Sequence, residues 1–214
     1  SSAASDVYKR QMLFTSRPVG DAMATTIWGT SSSWTLTALP LFVWMGEILF
    51  RTKLSENLFK GLSPWLQKMP GGLIHVNVVG CALFAAISGS SAATVATVGK
   101  MSIPELRKRN YPEKILLGSL AGSGTLGLLI PPSIILIIYG VAVQESIAKL
   151  FIAGIIPGIM IALIFMSYVI IWSLINKNEM PKILEEFSFL EKIKRSKQLL
   201  PVILLISAVI GSIY

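Results

Sequence analysis

Apolar runs alternate along the chain with short charged islands, and the runs have the length of membrane helices. Leu36–Phe50, LTALPLFVWMGEILF, is the first. Leu54–Met69 has a different pattern: Leu54, Leu58, Leu62, Trp65, Leu66 and Met69 share one helical stripe, opposite Glu56, Lys60 and Lys68. That spacing predicts an amphipathic helix lying in a membrane interface. Residues 70–99 carry no charge, and Ile115–Tyr139, Leu150–Ile175 and Leu199–Tyr214 are further apolar runs. A bilayer core about 30 Å thick asks for runs of roughly this length. Residues 12–35, hydroxyl-rich at TSSSWT, read as a connection and not a span. In MSIPELRKRNYPEK, residues 101–114, Ser102 and Glu105 have capping-box spacing with Pro104 in the first turn, which predicts a helix start. The expected fold is an all-α polytopic membrane protein.

Composition agrees: 53% of the 214 residues are hydrophobic and 14% charged, against about a quarter charged in soluble domains. The formal charge of +8 does not point to nucleic acid, because the cations sit in short clusters between apolar runs and form no continuous basic surface. The clusters report topology instead. Residues 51–68 hold four Lys/Arg, 100–114 five, 140–149 one and 177–197 six. If residues 70–99 crossed the membrane once, the better orientation would put eleven of these inside and five outside. If they entered and returned on one side, the count would be fifteen against one. The positive-inside rule selects the second arrangement. Length agrees, since the 31 uncharged residues 69–99 would make a helix of about 46 Å at 1.5 Å per residue. The segment is therefore expected to be a re-entrant helical hairpin open to the cytoplasm.

The centre of that segment, AISGSSAATVAT, gathers five hydroxyls: Ser88, Ser90, Ser91, Thr94 and Thr97. A bend inside the bilayer is tolerated where it is buried in protein or lines a polar cavity. Gly89 permits the turn, and Ser90 or Ser91 can cap the returning helix. That helix start suits a carboxylate, while carbonyls and hydroxyls suit a small hard cation such as Na⁺. Packing of small residues between helices is the plainer explanation of the same stretch. A second constellation, GSLAGSGTLGLLIPPS (118–133), interrupts an apolar run with glycines and Pro131–Pro132. It predicts half-helices at about 115–123 and 133–139, the kind of break at which secondary transporters bind their cargo; a ligand-free proline kink is the alternative.

Other residues weigh less. Gly122–Gly127 matches the dinucleotide pattern G-x-G-x-x-G, but it lies within an apolar run with no strand before it. Glu47 stands four residues before Arg51, which favours an interfacial ion pair at least as much as a proton relay. Cys81 reads as a small buried residue. His75 suits a hydrogen-bonded structural role, and Asn77 either a helix partner or a ligand. Gly154–Gly158 is a GxxxG packing motif. An intramembrane serine hydrolase would have to pair Ser90 or Ser91 with His75, roughly 20 Å away by helical rise. A scaffold without transport would leave the mid-membrane polar groups without a purpose.

On LTALPLFVWMGEILF, PGGLIHVNVVGCALFAAISGSSAATVATVGK, GSLAGSGTLGLLIPPSIILIIYG and LFIAGIIPG, the chain resembles the large membrane subunit of tripartite ATP-independent periplasmic (TRAP) transporters. The resemblance runs from about residue 12 to 214. It implies a Na⁺-coupled, elevator-type importer of organic acids in a bacterial or archaeal cytoplasmic membrane. The partners would be a small membrane subunit and a periplasmic substrate-binding protein, with no organic cofactor and no enzymatic activity. A carboxylate carrier of the same superfamily that works without a binding protein is the alternative. Carried over, Ser88, Gly89, Ser90 and Ser91 with Gly124 and Thr125 would line a Na⁺ site. Ser91, Thr94, Pro131, Pro132 and Ser133 would face the substrate carboxylate. The implied organisation is a scaffold region at 12–69, the hairpin at 70–100, a link and broken helix at 101–140, and further spanning helices at 141–214. Residues 1–11, ending in DVYKRQ, resemble translated library-adapter sequence. The resemblance implies that the inverted second half and the first membrane helices lie outside this sequence.

Overall fold

A computed structural model describes residues 19–32, 38–181 and 187–213, and among these residues every regular element is helical. The adapter-like stretch lies outside the described residues. The chain forms two bodies, residues 1–38 and 39–214. In the first, helix α1 spans Val19–Ser31. The expected connection over 12–35 is thus helical in its described part, while residues 12–18 and 33–35 lie outside the described residues. Thr25 donates to the Asp21 carbonyl at 2.8 Å and Ser32 to that of Trp28 at 2.7 Å, so these hydroxyls fold onto the preceding turn and stay compatible with a helix.

In the second body, α2 spans Ala38–Phe50, α3 Leu54–Leu66, α4 Ile74–Ser88 and α5 Ser91–Lys108. They are followed by α6 (Glu113–Gly124), a single turn α7 (Leu126–Leu129), α8 (Ile134–Val143) and α9 (Ile147–Ile175). The last helices are α10, Phe189–Ser196, and α11, Leu200–Ile213. Helix α3 is amphipathic: Leu58 and Leu62 of the apolar stripe are buried while Lys60 is exposed, but Trp65, on the same stripe, is exposed as well.

Helix α4 is the centre of the body. Ile74, Val78, Cys81, Phe84 and Ile87 along it are fully buried, and it packs on α3, α5, α6, α7 and α9. Cys81 is thus the small core residue expected of it. In a bilayer, helices associate through close packing and hydrogen bonds, because lipid is as apolar as their side chains. Both devices are present. A Cβ on Gly80 would touch Val98 Cγ1 at 3.6 Å; these residues stand equally far on either side of Gly89, so α4 and α5 run antiparallel. Asn77 Nδ2 donates to Ser119 Oγ at 3.1 Å and to the Leu116 carbonyl at 3.3 Å, which ties α4 to α6.

At the open end of the hairpin, the Tyr111 hydroxyl accepts a hydrogen bond from the Leu73 amide at 3.0 Å. The start of α4 and the residues just past α5 therefore meet. The helix start expected at Ser102 is absent: α5 continues from Ser91 through Pro104 to Lys108. Its cap lies earlier, where Ser90 Oγ accepts from the Ala93 amide at 3.5 Å. Glu105, expected to cap, instead pairs with Arg109 at 3.0 Å.

Among the described residues, two segments are long and apolar enough to cross a membrane, Glu113–Val143 and Ile147–Ile175. On α9, Ile152, Ile156, Ile159, Leu163, Ile164 and Ile171 are all exposed. So large an exposed apolar surface suits lipid and not water. Helix α9 has 29 residues and passes through Pro157 without a break.

Candidate functional site

The hairpin turns on one residue. Gly89 takes the left-handed conformation, φ +60°, and its amide closes α4 by donating to the Ala85 carbonyl. A side chain there would be strained, and its Cβ would sit 2.9 Å from the Pro132 carbonyl oxygen. Past the turn, hydroxyls bind the two arms together. Ser88 Oγ and Thr94 Oγ1 lie 2.9 Å apart, and Thr94 Oγ1 donates to the Ser90 carbonyl at 2.7 Å. Ser88 and Thr94 are almost wholly buried, so these bonds satisfy groups that water cannot reach.

The second constellation meets the first. Helix α6 ends at Gly124, the turn α7 follows, and Ile130–Ser133 runs extended through a cis Pro131–Pro132 bond before α8 begins. The two half-helices are longer than the pattern suggests, 113–124 and 134–143 against 115–123 and 133–139. The amide of Ile134, the first residue of α8, donates to the Gly89 carbonyl at 3.3 Å. A Cβ on Gly127 would lie 2.8 Å from the Ser91 amide nitrogen and 2.9 Å from the Ser90 carbonyl oxygen. Only a glycine lets the broken helix come this close to the tip. Behind the break stands α9, where Gly154 approaches the Leu129 carbonyl and Pro131 while Gly158 approaches Ile130. The GxxxG pair thus packs closely, as its spacing suggests, with the interrupted segment as its partner.

Ser88, Gly89, Ser90, Ser91, Thr94, Gly124, Pro131, Pro132 and Ser133 are therefore gathered in one region. Gly124 packs against α5 just past the tip, where a Cβ would collide with the Val95 side chain and lie 3.8 Å from the Ser91 carbonyl oxygen. Two hydroxyls are already engaged elsewhere. Ser133 Oγ donates to the Leu128 carbonyl at 2.6 Å, and the exposed Thr125 hydroxyl donates to that of Gly122 at 2.7 Å. Among the described residues, the Ser91 hydroxyl makes no hydrogen bond, which leaves it available to a ligand. The tip holds hydroxyl and carbonyl oxygens with no acidic side chain, a donor set that fits a weakly held monovalent cation.

Two contacts escaped sequence reasoning. Gly127 is legible as one of the glycines that interrupt the apolar run, but its approach to Ser90 and Ser91 is not. Gly46 of α2 sits where a Cβ would touch Ser88 at 3.7 Å, a contact between distant segments that no local pattern encodes. Glu47 pairs with Arg51 at 3.0 Å, both side chains being largely exposed. His75 is buried, with Nε2 2.7 Å from the Pro70 carbonyl oxygen, at the end of α4 opposite the tip. It is no base for Ser90 or Ser91.

Long apolar helices with an exposed apolar surface, an internal hairpin and an interrupted helix beside its tip are the features of an integral membrane protein. The family model for the tripartite ATP-independent periplasmic transporter, DctM component, matches residues 5–214, and the chain belongs to that family. It is 36% identical over 194 residues to the C4-dicarboxylate TRAP transporter large permease protein of Pseudomonas aeruginosa, covering 90% of this chain and 44% of that protein. It is 40% identical over 135 residues to a sialic acid TRAP transporter permease of Haemophilus influenzae, covering 63% of this chain and 22% of the relative. With an ectoine/5-hydroxyectoine large permease of Ruegeria pomeroyi it shares 36% identity over 146 residues, 68% of this chain and 34% of the relative. The chain spans less than half the length of these relatives. They are transporters, and the chain belongs with them and not with enzymes.

Proposed function

We propose that this chain forms the hairpin-bearing part of a permease that imports an organic acid, driven by Na⁺ and supplied by a periplasmic binding protein. The contact between hydroxyl tip and proline break, made by Gly89 with Ile134 and by Gly127 with Ser90–Ser91, carries the reading. Interrupted helices supply what a bilayer otherwise denies a solute: unpaired backbone dipoles aimed into a cavity. Here the carbonyls ending α4 and the serine hydroxyls offer hard oxygens to Na⁺. The first turn of α5, with the free Ser91 hydroxyl, offers donors to a carboxylate seated beside the Pro131–Ser133 segment. Na⁺ binding orders the tip, and the ordered tip completes the carboxylate site.

Residues 70–100 are re-entrant in this reading. The bond between Leu73 and Tyr111 supports it, since it holds the two mouths of the hairpin together. The charge count favours the cytoplasm for that end. Hairpin and broken helix then slide together past a scaffold built with a small membrane subunit, in a multi-pass protein of the inner membrane. The names of the relatives, C4-dicarboxylate and sialic acid transporters, support an organic acid as the cargo.

The test is uptake by the full-length permease, reconstituted with its small subunit and binding protein under an imposed Na⁺ gradient. Uptake is expected to require Na⁺, and Ser91→Ala to raise the Na⁺ needed for half-maximal rate. Undiminished uptake by that variant at low Na⁺ would contradict the assignment.

A further inference from the structure

A cavity of about 190 Å³ opens between α3, α5 and α10, at the same end of the body as the hairpin mouth and far from the tip. Its lining includes three cations, Lys60, Arg109 and Arg195, against one carboxylate, Glu105. Arg109 engages that carboxylate at 3.0 Å, and Lys60 pairs with Glu56 along α3. The Arg195 guanidinium lies 4.2 Å from the centre of the Phe187 ring, and stacking sets its direction. Ser63 and Gln67, both buried, supply polar groups to the wall.

The surroundings of the mouth are apolar and exposed. On α10, Phe189 and Leu190 are exposed by 67% and 77%, and Trp65 on α3 by 45%. Trp65 Nε1 donates to Ser196 Oγ at 2.8 Å, and Lys192 lies over the same indole, so α10 is clamped on α3 and Arg195 is held at the cavity. Bare aromatic and aliphatic side chains beside a basic cavity characterise a headgroup boundary, where the chains enter hydrocarbon and the cations meet phosphate.

We propose that this cavity binds the phosphate of an anionic phospholipid in the cytoplasmic leaflet. The phosphodiester oxygens accept from Lys60, Arg109 and Arg195, and the acyl chains lie against Trp65, Phe189 and Leu190. Lipid binding here needs neither Na⁺ nor substrate, so its failure and that of the transport reading are separable.

The experiment exchanges the full-length permease into phosphatidylcholine nanodiscs carrying a minor share of phosphatidylglycerol, and counts retained phosphatidylglycerol by native mass spectrometry. The wild type is expected to retain it. Retention should fall roughly fivefold for each cation removed in Lys60→Ala and Arg195→Ala, and persist in Lys60→Arg with Arg195→Lys. Equal retention by the wild type and the double alanine variant overturns the proposal. So does inorganic phosphate, added alone, displacing the lipid with the same dependence on Lys60 and Arg195, which would make the ligand a soluble anion.

Discussion

The Ile134 amide donates a hydrogen bond to the Gly89 carbonyl across 3.3 Å, although 45 positions separate the two residues. One is the left-handed pivot of the hairpin, and the other is the first residue of the helix that resumes after Pro131–Pro132. Each segment alone has backbone groups that its own helix cannot satisfy, as chain ends at membrane depth must. Joined, the two segments satisfy one of these groups through each other and bring the Ser90–Ser91 backbone against Gly127. The site is thus a by-product of solving a hydrogen-bonding problem.

The fit of that joint rests on Gly127. Gly127→Ala would push a methyl against the Ser90–Ser91 backbone, which cannot retreat as a flexible side chain could. We expect a stability loss of about 1–3 kcal/mol, the usual cost of overpacking, together with a severe loss of uptake. Gly118, whose Cβ would meet nothing within 4 Å, is the control. Gly118→Ala should leave uptake intact and hold or slightly raise stability, as helix propensity favours Ala by up to about 1 kcal/mol. Thermal unfolding of the two variants beside their uptake rates checks this.

Tyr111 closes the hairpin mouth. Tyr111→Phe leaves the buried Leu73 amide without its acceptor, at an expected cost of about 1–3 kcal/mol. Burial pushes the Tyr111 hydroxyl above the ordinary tyrosine value, opposed by the Leu73 amide and the Arg109 charge. A pKa raised in the folded state means stability that is complete below the ordinary value, about 10, and is lost as pH rises through the native one. Melting temperatures on either side of that value should therefore fall more for the wild type than for Tyr111→Phe.

Glu47 and Arg51 form an exposed pair one turn apart, which is ordinary surface chemistry. Glu47→Gln should cost no more than about 0.5 kcal/mol and leave the pH profile of uptake unchanged. A shifted profile would return Glu47 to the role of proton relay.

The sequence disclosed the apolar helices, the hairpin and the break because each is written locally: in run length, in the glycine between serines, in paired prolines. It misled where a local signal had a stronger competitor. Ser102, Pro104 and Glu105 spell a helix start, but a helix already capped at Ser90 runs through them and Glu105 turns to Arg109. Thr94 and Ser133 read equally well as ligands, yet both hydroxyls are bonded inside the protein. Such spending of polar groups depends on distances between segments, which spacing along a chain does not carry. The same holds for Gly46 against Ser88 and for the cavity rimmed by three separate helices.

The central claim is that residues 70–100 dip into the bilayer and return to the face they left. Single cysteines in place of the exposed Lys68 and Lys108, in a full-length permease otherwise free of reactive thiols, test it in oriented vesicles with a membrane-impermeant maleimide. Labelling of both positions from the cytoplasmic side alone is the predicted result. Labelling of the two from opposite sides would contradict the hairpin topology and, with it, the transport site at its tip.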